Sequence, residues 1–202
     1  MHPDPKQKFA RITTVLAAAL ASGLVVSGNA LAEGSNATQL KRGALLVGIG
    51  GCVDCHTPFR IGANGPEKDM SRGLSGHPEQ LKLATPPSLN GDWNWAGSAT
   101  MTAFVGPWGI SYAANLTPDR ETGIGAWKEK DFVQAMRTGK HVGVARPIMP
   151  PMPWQAVAQL PDSDLRAIYA YLKAQPAVKN RVPEYAPPAN ATAKAAGGKK
   201  PG

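Results

Sequence analysis

Three separated stretches of the chain carry apolar residues at the spacing of an amphipathic helix. These positions are Leu40, Ala44 and Val47 in the first stretch, Phe132 and Met136 in the second, and Leu165, Ile168, Tyr169 and Leu172 in the third. The pattern predicts helices over residues 38–48, 128–138 and 162–174. Glycines follow the first two stretches and Pro176 follows the third, and such residues commonly end helices.

The region between the first two predicted helices has no sustained helical period. Residues 57–127 are rich in glycine, proline, asparagine and tryptophan, and so long a loop in a compact domain usually holds structure of its own. Two short runs, 100–105 and 110–116, flank the turn residues Gly106, Pro107 and Gly109, which predicts a short β-hairpin. The pattern therefore predicts helices at both ends of the domain with a long insert between them.

The two ends of the chain differ from this middle part. Three basic residues precede an apolar, alanine-rich run over 12–26, and Ala30-Leu31-Ala32 forms a cleavage site. The run is too short and interrupted to span a membrane, which takes about 20 apolar residues. Residues 1–32 are therefore predicted to be a secretory signal peptide, with no transmembrane anchor left after cleavage. Residues 184–202 lack periodicity and are predicted to be a disordered tail, which leaves 33–183 as one domain.

The charge of the chain bears on its partners. The formal net charge is +8, and the basic residues are scattered rather than clustered, apart from Lys199-Lys200. Nucleic acid is therefore not predicted as a partner. A mildly basic surface suits docking to an acidic protein, although solubility alone explains it equally well.

Directly before the insert lies Cys52-Val53-Asp54-Cys55-His56. Two thiols three residues apart, followed at once by a histidine, match the signature of covalent haem c attachment. At this spacing the sulfurs reach the two vinyl groups on one porphyrin edge and form thioethers, and the imidazole binds the iron through Nε2. The motif therefore predicts one covalently attached haem c, held by Cys52, Cys55 and His56.

Other interpretations of the two cysteines are a structural disulfide, a zinc site and a redox pair. A zinc site needs about four ligands, and the chain has no further cysteine to complete one. A redox C-x-x-C pair normally opens a helix after a buried strand, whereas a predicted helix precedes Cys52. Export agrees with the haem interpretation, because the bacterial periplasm is where exported chains receive haem c, and we predict that location.

The second axial ligand of the iron has several candidates. The methionines are Met70, Met101, Met136, Met149 and Met152, and His77 or His141 would give a bis-histidine haem. Met136 lies on the apolar face of a predicted helix and is predicted to be a core residue. The two histidines lie in polar loop sequence, which predicts surface positions. The prolines of segment 147–154 stiffen the loop beside both Met149 and Met152, so stiffness alone does not choose between them.

This order of elements resembles that of class I c-type cytochromes. More narrowly, the segments NLTPDRETGIGAW, FVQAMRTGKH, PPMPW and DLRAIYAYLKAQPAV are similar to haem domains of the cytochrome c subunits that serve membrane-associated alcohol and aldehyde dehydrogenases. The resemblance covers residues 38–183. It implies a mostly α, class I cytochrome c fold, in which the N- and C-terminal helices cross around one haem, with Gly43 packed against Tyr169 or Tyr171.

The resemblance also implies a ligand and a function. Met152-Pro153-Trp154 is the family's M-P-aromatic element, so Met152 is the expected distal ligand. The chain is then expected to be an electron carrier, not an enzyme, passing single electrons from a dehydrogenase donor to a terminal oxidase or reductase. Those subunits usually carry several C-x-x-C-H motifs, whereas this chain has one. One alternative is a haem-bearing subunit of a larger dehydrogenase complex. The other is a gas-binding or peroxidatic protein, which needs an open distal position on the iron. The PPMPW segment argues against it, because this segment supplies a ligand for that position.

Overall fold

The computed structural model of the protein describes residues 36–143 and 146–188. The predicted signal peptide and residues 189–202 of the predicted tail lie outside these ranges. The α-helices within the described residues are α1 (36–49), α2 (Cys52–His56), α3 (Glu129–Thr138), α4 (Trp154–Val157) and α5 (Asp162–Lys173), and a 3-10 turn covers Met70–Arg72. None of these helices is long and apolar enough to cross a membrane.

The three predicted amphipathic helices are confirmed as α1, α3 and α5, with ends within two residues of the predicted ones. Local sequence explains where α3 begins and ends. At its start the Asp131 carboxylate accepts a hydrogen bond from Lys128 N at 2.9 Å. At its end Gly139 adopts a φ of 64° and its N–H reaches Ala135 O at 2.9 Å, a left-handed conformation that glycine takes without steric cost.

Helices α1 and α5 pack against each other in backbone contact. A Cβ at Gly43 would lie 2.0 Å from Ala167 O and 2.7 Å from Tyr171 Cβ, so only glycine fits at this position. Beside this contact, Arg42 donates to the Asp164 carboxylate through Nε at 2.9 Å and Nη2 at 2.7 Å. The expected close approach of the N- and C-terminal helices is confirmed, with Tyr171 as the tyrosine opposite Gly43.

The insert carries two small antiparallel sheets. In the first, β1 (Phe59–Gly62) pairs with β2 (Gly65–Lys68); in the second, the strand order is β3 (Ala96–Gly97), β4 (Ala103–Gly106) and β5 (Gly109–Tyr112). The predicted hairpin is confirmed as β4 and β5. The first hairpin was not predicted, because its strands are only four residues long and β2 consists of glycine, proline and charged residues, with no apolar alternation.

The expected mostly α architecture is therefore met only in part. The three predicted helices lie where the sequence places them, the short helices α2 and α4 were not predicted, and the arrangement is cytochrome-like. The described part of the insert, however, is built from short strands and turns, with only a single 3-10 turn of helical character. The long connection between α2 and α3 is thus a structured β-containing segment rather than a simple loop.

One apolar core lies between the helices and the insert. Its buried members are Leu46, Val47, Leu74, Ile124, Phe132, Ala135, Met136, Leu165, Ile168 and Leu172. Met136 is a core residue, as predicted. Cys52 and Met152 are both partly buried and pack against this same cluster. The core thus connects the C-x-x-C-H turn with the proline-rich methionine segment.

Residues 184–188, which the sequence assigns to the tail, contact β5. Ala186 and Ile110 exchange backbone hydrogen bonds of 2.8 and 3.0 Å, and the Tyr185 hydroxyl donates to Trp108 O at 2.5 Å. A Cβ at Gly109 would lie 2.2 Å from Ala186 O, so the two segments approach closely. The described end of the chain thus supports the outer edge of the second sheet.

Candidate haem-binding site

The C-x-x-C-H residues form their own short helix, α2, directly after α1. Gly51 adopts a φ of 64° between the two helices, and Gly50 N still bonds to Leu46 O at 2.9 Å. This left-handed residue ends α1 and lets α2 begin in a new direction. Within α2, Cys52 and Cys55 are three residues apart, the spacing that places side chains on one face of a helix. Both cysteines are unpaired and partly buried.

His56 ends α2, and its side chain makes one hydrogen bond to the part of the chain that the structure describes. Its side chain is buried, and Nδ1 lies 2.7 Å from the carbonyl oxygen of Ala114. Because a carbonyl oxygen can only accept, Nδ1 carries the proton, which leaves Nε2 unprotonated with its lone pair available. Burial lowers the pKa of His56, partly opposed by this hydrogen bond. The imidazole is therefore neutral and oriented, as a metal-binding histidine must be.

The backbone that supplies the Ala114 carbonyl is held on both sides. Ala113 N donates to Thr102 O at 2.8 Å, and Leu116 N donates to Leu74 O at 2.9 Å. A Cβ at Gly76 would lie 2.3 Å from Ala113 O, and the φ of 77° at Gly76 also favours glycine. The segment that orients His56 is thus fixed by close packing between two parts of the insert.

The electrostatics of the two thiols bear on the alternative interpretations. Burial raises the pKa of Cys52 and of Cys55, and the nearby Asp54 carboxylate adds to both effects. Redox-active C-x-x-C pairs instead contain a thiol with a lowered pKa, so this turn lacks their property. No group of three or more His, Cys, Asp and Glu side chains within the described ranges could hold a metal ion, which argues against zinc. The donor set of two protonated thiols and one neutral imidazole fits haem c.

The proline-rich segment with Met149 and Met152 lies between α3 and α4. Ile148 N donates to Gly139 O at 2.7 Å, and the Trp154 indole covers Gly139 so closely that a Cβ there would lie 2.4 Å from the ring. The two methionines are both partly buried. Met152 packs against the core cluster, whereas Met149 is not among the residues that do so in the described chain.

The remaining candidate ligands lie in different environments. Met70 and Met101 are exposed, with 67% and 39% of their surface accessible, and Met136 is in the core. His77 was predicted to lie at the surface, and that prediction is wrong. Its side chain is fully buried, with Nδ1 at 2.9 Å from Thr102 Oγ1 and Nε2 at 3.4 Å from Leu81 O. The insert folds over His77 and supplies both partners, which a local polar sequence does not reveal.

His141 is also less exposed than predicted. It is partly buried, and its backbone N–H donates to Arg146 O at 2.8 Å. Burial, together with the positive charge of Arg146, lowers the pKa of His141 from 6.5 to about 4, although Glu184 acts in the opposite direction. A neutral histidine results, but no described contact connects it with α2.

Sequence reasoning missed two groups that shape this site. One is the Ala114 carbonyl, a backbone atom 58 residues from His56 that carries no side-chain signal. The other is Ser111 on β5, whose hydroxyl reaches Pro150 O at 2.5 Å and so links the insert to the methionine segment. The structure places Cys52 and Met152 against one core. The insert contacts His56 through Ala114 and the methionine segment through Ser111.

Several cytochrome c subunits are among the known proteins that the chain resembles. No family model matches the chain. It is 30% identical over 172 residues to the alcohol dehydrogenase (quinone) cytochrome c subunit of Gluconobacter oxydans, covering 84% of this chain and 29% of the relative. It is 31% identical over 140 residues to the gluconate 2-dehydrogenase cytochrome c subunit of Pantoea cypripedii, covering 68% and 23%. It is 30% identical over 153 residues to a dihaem c-type cytochrome of Cereibacter sphaeroides, covering 74% and 40%.

The chain thus spans less than half the length of each of these relatives. In the other direction, each alignment covers more than two thirds of this chain. The similarity therefore concerns most of this chain rather than a short motif. The chain is a homologue of the cytochrome c subunits of quinone alcohol and gluconate dehydrogenases, and its site fits a cytochrome c haem domain.

Proposed function

We propose that Cys52 and Cys55 attach one haem c and that His56 is the proximal ligand of its iron. The observation that carries this proposal is the state of His56, whose ring is buried, whose Nδ1 proton is donated to Ala114 O, and whose Nε2 has no hydrogen-bond partner within the described residues. When bound, the haem supplies a one-electron iron couple. The chain holds the imidazole in the tautomer and orientation that ligation requires.

Met152 is the proposed distal ligand. It packs against the same apolar cluster as Cys52, whereas two of the other methionines are exposed and Met136 belongs to the core. Met149 is the closest competitor, since it lies in the same stiff segment. Both ring nitrogens of His77 contact protein oxygens, which disfavours it as a ligand. A methionine thioether opposite a histidine raises the reduction potential of a haem.

Two substitutions test the choice of ligand. Met152→Ala should abolish the far-red charge-transfer band of the ferric protein and lower its reduction potential. Met149→Ala is the matched control, since it removes a thioether from the same segment, and it should leave both nearly unchanged. The opposite pattern would assign the ligand to Met149, and a wild-type spectrum without the band would point to His141.

Covalent attachment has a separate test. The denatured protein should keep its haem through acid–acetone extraction and give a c-type pyridine haemochrome. A Cys52→Ala, Cys55→Ala double variant provides the control, because it leaves His56 in place and removes only the thioethers. Haem that is extracted from the wild-type chain would contradict the proposed attachment.

The function that follows from this site is single-electron transfer in the periplasm. A six-coordinate iron with two protein ligands changes little between its redox states, which favours transfer over substrate chemistry. The donor is proposed to be a dehydrogenase and the acceptor a respiratory oxidase or reductase. The names of the relatives support a role beside a dehydrogenase. The net positive charge that remains without residues 1–32 suits an acidic docking partner.

A second candidate is a haem-bearing subunit that stays bound within a dehydrogenase complex. The relatives are named as cytochrome c subunits, and this observation favours the second candidate. Against it, the single C-x-x-C-H motif gives this chain one attachment site, and a carrier needs no more. The two candidates differ in whether the haem protein leaves its donor between transfers, and the native mass of the isolated protein distinguishes them.

A further inference from the structure

The methionine segment has few ways to be held in place. Pro150, Pro151 and Pro153 lack a backbone N–H, and Met152 N donates locally, to Met149 O at 3.3 Å. The segment can therefore be fixed from outside mainly through its carbonyl oxygens. Among the described residues, one hydrogen bond joins 149–153 to a distant part of the chain, and it runs from Ser111 Oγ to Pro150 O at 2.5 Å.

The surroundings of Ser111 direct its hydroxyl toward this carbonyl. The side chain is buried on β5, and Trp108 Nε1 donates to its oxygen at 3.2 Å. A serine hydroxyl has one proton to donate. The two possible acceptors are Pro150 O at 2.5 Å and Phe104 O at 3.4 Å, and the shorter contact takes the proton.

Ser111 also lies on a strand that is supported from both sides. On one side β5 pairs with β4, where Ser111 lies opposite Phe104. On the other side Ile110 exchanges two backbone hydrogen bonds with Ala186, and Trp108 O accepts the Tyr185 hydroxyl. The hydroxyl that reaches the methionine segment is thus presented by a fixed element rather than by a free loop.

We propose that Ser111 is a positioning residue for the distal ligand and that the insert hairpin β4–β5 acts as a clamp on the ligand loop. The inference rests on the proposed function, in which Met152 binds the iron. An iron–thioether bond is weak, so an external ligand can replace it once the loop moves away. The Ser111 hydrogen bond holds Pro150, two residues before Met152, and so stabilises the thioether-bound state against that replacement.

Imidazole binding to the ferric holoprotein measures this effect, because imidazole displaces the thioether and removes the far-red band. Ser111→Ala should bind imidazole about three- to tenfold more tightly, the factor expected from the loss of one hydrogen bond. Ser98→Ala is the matched control. Ser98 Oγ also accepts a hydrogen bond at this sheet, from Ala103 N at 3.2 Å, but makes no hydrogen bond to residues 149–153 within the described chain. Its imidazole affinity should equal that of the wild type.

Two more variants separate positioning from general stability. Ser111→Thr keeps the hydroxyl and should restore wild-type affinity. Trp108→Phe keeps Ser111 but removes the N–H that orients it, so imidazole should bind more tightly by a smaller factor, even if Ser111→Ala fails to fold. Equal affinities in wild type, Ser111→Ala and Trp108→Phe, with the wild-type far-red band present, would overturn the clamp alone. A wild type without the band would overturn the proposed ligand, and the clamp with it.

Discussion

Burial keeps the three described histidines neutral, each through different contacts. Burial lowers the pKa of His56, His77 and His141. For His56 and His77, hydrogen bonds to backbone carbonyls oppose the effect of burial. For His141 the charge of Arg146 adds to burial, and the pKa falls to about 4. A neutral imidazole is useful at His56 as a proposed ligand, whereas at His141 it makes folding sensitive to acid.

The first prediction concerns this sensitivity. The pKa of His141 is lower in the folded state than its ordinary value of 6.5. Between pH 6.5 and 4 the unfolded chain therefore binds a proton that the folded chain does not, so stability falls as the pH falls. His141→Gln removes the titrating imidazole and therefore its contribution to the pH dependence of stability. Its free energy of unfolding should drop less than that of the wild type between pH 7 and 4.5, by on the order of 2 kcal/mol.

Urea unfolding of the holoprotein at both pH values measures the difference. His77 titrates in the same direction in both proteins, so it contributes to both pH profiles and cancels in the comparison. The groups that act on His141 are Arg146 and Glu184, and both stay in place in the variant. Parallel pH profiles for wild type and His141→Gln would contradict the prediction.

Single residues also show what a sequence can and cannot reveal. Cys52, Cys55 and His56 were identified as candidate haem-binding residues because their signature is local. The burial of His77 was not, because Thr102 lies 25 residues away and comes close only when the insert folds. The role of Ala114 has no side-chain signal at all. A local motif can thus be identified in the sequence, whereas hydrogen-bond partners that distant segments supply cannot.

At the scale of elements, helical periodicity predicted α1, α3 and α5 well because each presents one apolar face to the same core. The strands were harder to predict. The turn residues between β4 and β5 are visible in the sequence, but β1 and β2 contain mainly glycine, proline and charged residues. A salt bridge between Arg60 and Glu67 joins the two strands, and one between Lys68 and Asp54 joins β2 to α2. Such contacts leave no periodic pattern in the sequence.

The contact between α1 and α5 gives the second prediction. Gly43→Ala places a methyl group 2.0 Å from Ala167 O, and a backbone oxygen cannot move aside cheaply. We expect a loss of about 1–3 kcal/mol in the free energy of unfolding of the holoprotein, the usual cost of overpacking. Gly48→Ala is the matched control in the same helix, since a Cβ there meets nothing within 4 Å.

Gly48→Ala should be neutral or stabilising by up to about 1 kcal/mol, because alanine has the higher helix propensity. Denaturant unfolding of both variants, followed by helical circular dichroism, gives the two free energies. The close contact of α1 with α5 predicts a loss of stability for Gly43→Ala and no loss for Gly48→Ala. Equal effects would mean that Gly43 contributes only its helix propensity and that the two helices do not depend on this contact.

At the scale of the whole molecule, a buried polar side chain ties the end of the chain to the insert. Asn180 Nδ2 donates to Ser75 O at 2.7 Å and to His77 O at 2.8 Å, and its Oδ1 accepts from Glu79 N at 2.9 Å. The same insert supplies the Ala114 carbonyl and the Ser111 hydroxyl. The described C-terminal segment therefore supports the insert, and the insert supports both proposed axial ligands.

The last prediction concerns how this molecule exists in its host. The two cysteines of this sequence allow one haem to be attached through two thioethers. We expect one haem iron per chain. When the protein is isolated from its host without denaturant, we also expect it to separate from any dehydrogenase at high ionic strength.

A carrier that docks through charge should separate from its donor at high ionic strength, because salt screens exposed charges over distances of about 3 Å at 1 M. Gel filtration of host extracts at low and at high salt, read by haem absorbance, therefore tests the prediction. Elution with a dehydrogenase at low salt alone agrees with a transient carrier. Elution with a dehydrogenase at both salt concentrations would contradict the carrier and favour a permanent subunit, since stable interfaces depend on buried apolar contacts that salt does not weaken.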